Sequence, residues 1–102
     1  MILVVDNDPD VLEQAQKILN RDRQVFLAST AQQAYAMVER LGFSLVLVDL
    51  GLPDAYSLIQ RLQDTNPDLL IIGISGAMQA SVEKATKDLG IVEVLHKPIT
   101  PE

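Results

Sequence analysis

Two carboxylates, a hydroxyl and an amine each follow an apolar run of the sequence, and together they could handle a phosphoryl group. They are Asp6, Asp49, Ser75 and Lys97, which follow residues 2–5, 45–48, 69–74 and 92–96. Carboxylate oxygens are ligands that Mg²⁺ prefers. A nucleophilic Asp beside a metal ion and a lysine can accept a phosphoryl group, because both cations neutralise charge on the group in transfer. The predicted product is an aspartyl phosphate, to which a nearby hydroxyl such as that of Ser75 can donate a hydrogen bond.

The elements that must position these side chains are buried parallel strands. Runs of branched aliphatic residues bounded by turn residues are typical of strands buried on both faces, as in Leu45-Val-Leu-Val48. In open α/β sheets, ligands bind at the carboxyl ends of such strands. We therefore expect the four side chains to converge on one pocket at that edge.

Amphipathic segments alternate with the strands and predict four helices. The predicted strands are residues 2–5, 24–28, 45–48, 69–74 and 92–96, and the predicted helices end near residues 20, 41, 64 and 89. Asp8 before Pro9 is typical of an N-cap, Ser29 or Thr30 is expected to cap the second helix, and Gly42 is expected to be its left-handed C-cap. Such alternation predicts an α/β fold, a doubly wound parallel sheet covered on both faces.

Composition excludes several classes of function. The 102 residues include no cysteine, which excludes disulfides and thiolate zinc sites and favours a cytoplasmic protein. A net charge of −6 argues against direct binding to nucleic acid or to an anionic membrane. No apolar stretch approaches the roughly 18 residues of a membrane span.

The length allows one domain, residues 1–102, and we expect that domain to be truncated at its C-terminus. The sequence ends at Thr100-Pro101-Glu102, where a fifth helix would begin. Without that helix, the sheet face shared with the first helix should expose an apolar patch and favour a homodimer. An effector domain could follow Glu102 in a longer protein.

Four motifs in register resemble the receiver domain of bacterial two-component response regulators. They are Ile2-Leu-Val-Val-Asp6, Leu47-Val-Asp49-Leu-Gly-Leu-Pro53, Gly73-Ile-Ser75-Gly76 and His96-Lys97-Pro98, and together they span nearly the whole chain. The resemblance implies a flavodoxin-like five-stranded parallel sheet of order 2-1-3-4-5. It also implies a signalling domain that is not an enzyme beyond catalysing its own phosphorylation and dephosphorylation.

The resemblance implies a role for each pocket residue. Asp49 would accept the phosphoryl group from a histidine kinase or a histidine phosphotransfer protein, and Asp6 would help to hold Mg²⁺. The Gly51 carbonyl would be a further metal ligand. Ser75 would be the switch hydroxyl and Lys97 the partner of the phosphate.

The sequence departs from the family at three places. The family usually has two adjacent acids after the first strand, and here the second is Asn7, so we expect weakened Mg²⁺ binding. Val94 replaces an aromatic residue that the family often has before the lysine. Tyr56-Ser57 stands where an Asp-Gly pair is common after Pro53.

Two other functions remain open from the sequence. Because of Asn7, the chain could be a pseudo-receiver, a binding module that is never phosphorylated. Alternatively, Asp6-Asn-Asp8 resembles the motif of haloacid-dehalogenase-type phosphatases, in which Asp6 would be the nucleophile and Asp8 the general acid. That family needs a further acidic motif after a late strand, which this sequence lacks.

Overall fold

The apolar runs form a parallel sheet that crosses the molecule. The computed structural model describes residues 1–20, 23–76 and 87–97. The strands are β1 (Ile2–Val5), β2 (Val25–Ala28), β3 (Leu45–Asp49), β4 (Leu70–Ser75) and β5 (Glu93–His96). Every pair is parallel and the order is β2-β1-β3-β4-β5. The predicted flavodoxin-like topology is therefore confirmed.

Alternate residues of each strand point to opposite faces, and each face packs against different helices. The helices are α1 (Pro9–Leu19), α2 (Ala31–Arg40) and α3 (Ala55–Thr65). Leu3 and Val46 lie in one core cluster with residues of α2 and α3, such as Ile59. Ile2 and Leu47 lie in a second cluster, to which α1 contributes Ala15. Helices therefore pack on both faces of the sheet, as the near-continuous apolar strands predict.

Short polar side chains begin two of these helices. The Asp8 carboxylate accepts a hydrogen bond from the Asp10 N–H, and Pro9 follows as the first helical residue. Of the two predicted caps of α2, Thr30 is the one observed, since its hydroxyl accepts from the Gln33 N–H at 3.1 Å. The cap at Asp8 fixes the turn that leaves β1, directly beside Asp6.

The prediction for Gly42 is wrong. Helix α2 ends at Arg40, and its C-cap Leu41 has an extended backbone (φ −120°, ψ 149°), so the chain leaves the helix toward β3 without a left-handed residue. Among the described residues only Gly90 has a positive φ, of 67°. Gly90 follows the helical residues 87–89, where a helix end was expected.

Two predicted segments lie outside the described residues. Most of the predicted fourth helix falls in residues 77–86, and the expected start of a fifth helix falls in residues 98–102. On the sheet face that α1 covers, Ile72 and Leu95 are half-buried, and Leu70 is 54% exposed. These side chains lie where an apolar patch is expected, and the self-association it would favour stays a prediction.

Candidate functional site

The strand order brings the ends of four strands to one edge of the sheet. Asp6 directly follows β1, Asp49 ends β3, Ser75 ends β4 and Lys97 directly follows β5. Backbone bonds hold these ends in register, because the Leu50 N–H donates to the Ile74 carbonyl at 2.8 Å and the Lys97 N–H donates to the Ser75 carbonyl at 3.0 Å. The residues singled out in the sequence therefore meet at the carboxyl edge.

Asp6 is completely buried at this edge of the sheet. Its Oδ1 accepts a hydrogen bond from the Asp8 N–H at 2.9 Å, which the tight turn after β1 makes available. Its Oδ2 accepts no well-directed hydrogen bond from the described residues, and its contact is an ion pair with the Lys97 Nζ at 3.1 Å. One buried carboxylate oxygen therefore faces the pocket with a single ionic partner.

Asp49 is the more accessible of the two acids, although only 6% of its surface is exposed. Its Oδ1 accepts from the Gly51 N–H at 3.0 Å, and its Oδ2 lies 3.4 Å from the Lys97 Nζ. A Cβ at residue 51 would lie 3.3 Å from Asp49 Oδ1, so the glycine leaves the space beside the carboxylate open. Asp49 is thus held in one orientation with an oxygen facing the ammonium.

Lys97 bridges the two carboxylates, and its side chain is 27% exposed. Burial acts to lower the pKa of Lys97, but the hydrogen bond and charge of Asp6 and the charge of Asp49 outweigh it, so the pKa is raised. Burial raises the pKa of Asp6 above its ordinary value, although the Asp8 N–H and Lys97 act in the opposite direction. The amine stays charged at neutral pH, and the pocket favours a cation.

The other two predicted residues differ in their setting. Ser75 is buried at the end of β4, and its own backbone carbonyl accepts the Lys97 N–H. Asn7 is exposed and lines a cavity of about 270 Å³ with the starts of α2 and α3, Thr30 and Asp54 among them. Asp8 is occupied as the cap of α1, which agrees with the cap expected from the sequence.

The residues present fit a magnesium ion. Mg²⁺ is typically held by one or two carboxylates, and waters and phosphate oxygens complete its shell. Asp6 Oδ2 and the Asp49 carboxylate offer such donors, and the partner of the buried Oδ2 among the described residues is the Lys97 ammonium. The Gly51 carbonyl is the further ligand that the sequence predicts. No group of three or more acidic, histidine or cysteine side chains suited to a metal occurs in residues 1–20, 23–76 and 87–97. A weakly bound ion with few protein ligands is the chemistry that this set supports.

Fold and site together define a doubly wound α/β domain with an acidic pocket closed by a lysine at the carboxyl edge of its sheet. The response regulator receiver domain family matches residues 2–102, and the chain belongs to this family. The chain is therefore a domain of two-component signalling. No curated protein sequence matches the chain at a significant level.

Solved structures agree with this assignment. A CheY-like response regulator receiver domain protein from Methanospirillum hungatei JF-1 is 28% identical, with a TM-score of 0.88 over 98% of this chain and 82% of the other. The beryllofluoride-activated NtrC4 receiver domain dimer is 27% identical, with a TM-score of 0.86 over 97% of this chain and 84% of the other. The signal receiver domain of an HD domain-containing protein from Pseudomonas fluorescens Pf-5 shows the fold alone, at 24% identity and a TM-score of 0.88 over 98% of this chain and 76% of the other.

Asn7→Asp is expected to strengthen Mg²⁺ binding about tenfold, since an added carboxylate beside the pocket contributes on the order of 1.4 kcal/mol at a partly solvated position. The exposure of Asn7 limits the gain. The gain in affinity is measured by titrating each protein with Mg²⁺ and monitoring the NMR amide resonances of residues 6, 49 and 51. Asp54→Asn serves as a control for a change of charge at the neighbouring loop. Equal affinities of wild type and Asn7→Asp would refute the expectation that Asn7 weakens Mg²⁺ binding.

Mg²⁺ affinity is also expected to depend on pH through Asp6. A protonated carboxyl cannot ligate the ion, so affinity should fall about tenfold per pH unit below the Asp6 pKa, which burial raises above the ordinary value of an aspartate. Mg²⁺ titrations across the mildly acidic range measure this dependence. Asp6→Asn should remove most of it, and an affinity in wild type that stays constant down to the ordinary pKa of an aspartate would contradict the ligand assignment.

Proposed function

We propose that this receiver domain accepts a phosphoryl group on Asp49 from a histidine kinase or a histidine phosphotransfer protein. The observation that carries the proposal is the position of the Lys97 Nζ, which lies 3.1 Å from Asp6 Oδ2 and 3.4 Å from Asp49 Oδ2. One fixed cation therefore faces the nucleophilic acid and the acid that would hold a metal. Asp49 is favoured over Asp6 as the nucleophile because Asp6 is fully buried, whereas 6% of Asp49 is exposed.

In the proposed transfer, an Asp49 oxygen attacks phosphorus, the P–N bond to the donor imidazole breaks, and its electron pair remains on the imidazole nitrogen. Lys97 exchanges its contact with Asp49 Oδ2 for a contact with a phosphoryl oxygen, so that charge developing there is neutralised. The Ser75 hydroxyl is proposed to donate to another phosphoryl oxygen. A bound Mg²⁺, held by Asp6, Asp49 and the Gly51 carbonyl, would supply further neutralisation of charge on the phosphoryl group.

The switching step that follows is also a proposal. A phosphoryl group adds about −1.5 to −2 units of charge beside the loops after β3 and β4. Pairing of that charge with Lys97 and Ser75 would bias those loops toward a second arrangement. Val94 is half-buried in β5 and has no ring to rotate, so the readout is assigned to the loops themselves.

The same proposal treats residues 1–102 as one cytoplasmic receiver domain whose state is read by an effector domain or by a second copy of the chain. No helix in the described part of the chain is long and apolar enough to cross a membrane. A relative of 27% identity forms a dimer in its beryllofluoride-activated state. The half-buried Ile72 and Leu95 beside the exposed Leu70 offer this chain an apolar surface for a homodimer.

The experiment that tests the proposal is binding of beryllofluoride, a stable mimic of the phosphoryl group, in the presence of Mg²⁺. We expect saturable shifts of the amide resonances of residues 6, 49, 51, 75 and 97, since these surround the proposed phosphoryl position. Fluoride with Mg²⁺ but without beryllium is the control. Unchanged spectra at saturating reagent would overturn the proposal and favour a pseudo-receiver.

A phosphatase of the haloacid-dehalogenase type makes the opposite prediction for two variants. Its nucleophile would be Asp6, so Asp6→Asn would abolish turnover of a phosphomonoester and Asp49→Asn would retain it. Asp8, the acid of that scheme, is occupied as the cap of α1. No observation in the described residues favours this function over the receiver.

A further inference from the structure

A glycine inside a buried strand is explained by the side chain that lies against it. Gly73 is the fourth residue of β4 and pairs with Val48 of β3. An ideal Cβ at this position would lie 2.8 Å from Leu50 Cδ1, 3.1 Å from Leu50 Cγ and 3.3 Å from Leu50 Cδ2. Because Gly73 has no positive φ, a side chain at this position would be opposed by the close approach of Leu50 and not by backbone conformation.

Leu50 is the residue that directly follows Asp49, and β4 holds it in two ways. Its N–H donates to the Ile74 carbonyl at 2.8 Å, and its side chain fills the space above Gly73. The side chain also packs against the core cluster formed with α2 and α3. A larger residue at 73 therefore meets a side chain that is fixed at its backbone and packed at its tip, and because Cγ is also close, rotation of one methyl group does not relieve the contact.

The same end of β4 also sets the position of the lysine. The Ser75 carbonyl accepts the Lys97 N–H at 3.0 Å, two residues beyond Gly73. The contact between Gly73 and Leu50 thus packs the end of β3, which carries Asp49, against β4. The end of β4 in turn binds the backbone of Lys97. Asp49 Oδ2 and the Lys97 Nζ lie 3.4 Å apart at this end of the sheet.

We propose that Gly73 and Leu50 are positioning residues: the Leu50 side chain, seated in the space left by Gly73, orients the Asp49 carboxylate toward Lys97 and the incoming phosphoryl group. The expected effect on the phosphorylation rate rests on the proposed function. The expected effect on the orientation of the Asp49 carboxylate rests on packing alone. Neither residue contacts the reacting atoms, so both act through Asp49.

The test is a double-variant cycle of Gly73→Ala, Leu50→Ala and the two combined. Gly73→Ala is expected to slow phosphorylation by acetyl phosphate at least about tenfold, because a misplacement of an ångström or less costs that much in an aligned displacement. Removing the leucine side chain should restore space, so the combined variant should react within about twofold of Leu50→Ala. Gly42→Ala is the matched control, since a Cβ there meets nothing within 4 Å.

A second readout separates failure of this inference from failure of the proposed function. The ¹³C resonance of the Asp49 carboxyl, measured without any phosphodonor, should shift in Gly73→Ala and return in the combined variant toward its value in Leu50→Ala. The urea midpoint of each variant reports its stability in parallel. If the role of the two residues were purely structural, the midpoints would fall and the combined variant would not recover the phosphorylation rate. The inference is overturned if Gly73→Ala leaves the carboxyl resonance unchanged, or if the combined variant shows no recovery. Should wild type accept no phosphoryl group, the resonances alone decide.

Discussion

Asp49→Asn is expected to incorporate no phosphoryl group from acetyl phosphate or from a kinase, because an amide oxygen does not replace a carboxylate as nucleophile. The fold should persist. The Asn oxygen can still accept the Gly51 N–H bond that Asp49 Oδ1 accepts at 3.0 Å, and the pocket loses one of two negative charges that share a single lysine. Intact-mass spectrometry after treatment with the phosphodonor, with and without Mg²⁺, measures the effect.

Asp54→Asn is the matched control for this loss. Asp54 lies five residues further along, is exposed, and makes no side-chain hydrogen bond as the cap of α3. The control variant should be labelled as fast as wild type. Persistent labelling of Asp49→Asn, at a stoichiometry near that of wild type, would remove Asp49 from the role proposed for it.

Lys97→Met is expected to lose both stability and reactivity. Without the ammonium, Asp6 and Asp49 face each other with no cation between them. Removing one partner of a buried ion pair typically costs 3–5 kcal/mol, and because Lys97 is 27% exposed we expect about 2 kcal/mol at neutral pH. Phosphorylation should slow by at least about a hundredfold, since a fixed cation facing developing charge contributes on that scale.

Chemical denaturation with and without Mg²⁺ measures the loss in Lys97→Met. The ion should recover more stability in the variant than in wild type, because it replaces a missing charge between the same carboxylates. Lys17→Met is the control, since Lys17 pairs with Glu13 at 3.1 Å on an exposed helix surface and should contribute less than about 0.5 kcal/mol. A Lys97→Met variant as stable as wild type, with no added response to Mg²⁺, would mean that the three charges do not interact.

Much of this pocket could be predicted from the sequence because each member marks the end of an apolar run. The period and length of those runs predict the bounds of the strands to within a residue or two. Strand β3, for example, is expected over residues 45–48 and is observed at Leu45–Asp49. Parallel pairing then requires all strand ends to meet at one edge. The convergence of Asp6, Asp49 and Lys97 follows from that requirement.

Other features could not be predicted because they depend on tertiary packing. The end of α2 illustrates this: Gly42 follows the helix, yet Leu41 turns into extended backbone because the chain must reach β3 at once. The role of Gly73 depends on Leu50, which lies 23 positions earlier and meets it only when β3 and β4 pair. An interior glycine in an apolar strand is the one local signal of such an approach.

The burial of the two acids is likewise a three-dimensional property. The sequence does not predict which of Asp6 and Asp49 is the more buried, since each follows an apolar run. In the folded chain Asp6 is fully buried and its Oδ1 accepts a hydrogen bond from the turn after β1, whereas Asp49 retains some exposure. This difference in burial is the reason why we propose Asp6 for metal binding and Asp49 for attack on phosphorus.

The most direct measurement is the chemical location of the phosphoryl group in wild type. Borohydride converts an aspartyl phosphate to homoserine, which peptide mass spectrometry assigns to a position. After treatment with acetyl phosphate and Mg²⁺, the account predicts homoserine at residue 49 and at no other acid. Conversion at residue 6, or the absence of any conversion under conditions that saturate Mg²⁺, would contradict it.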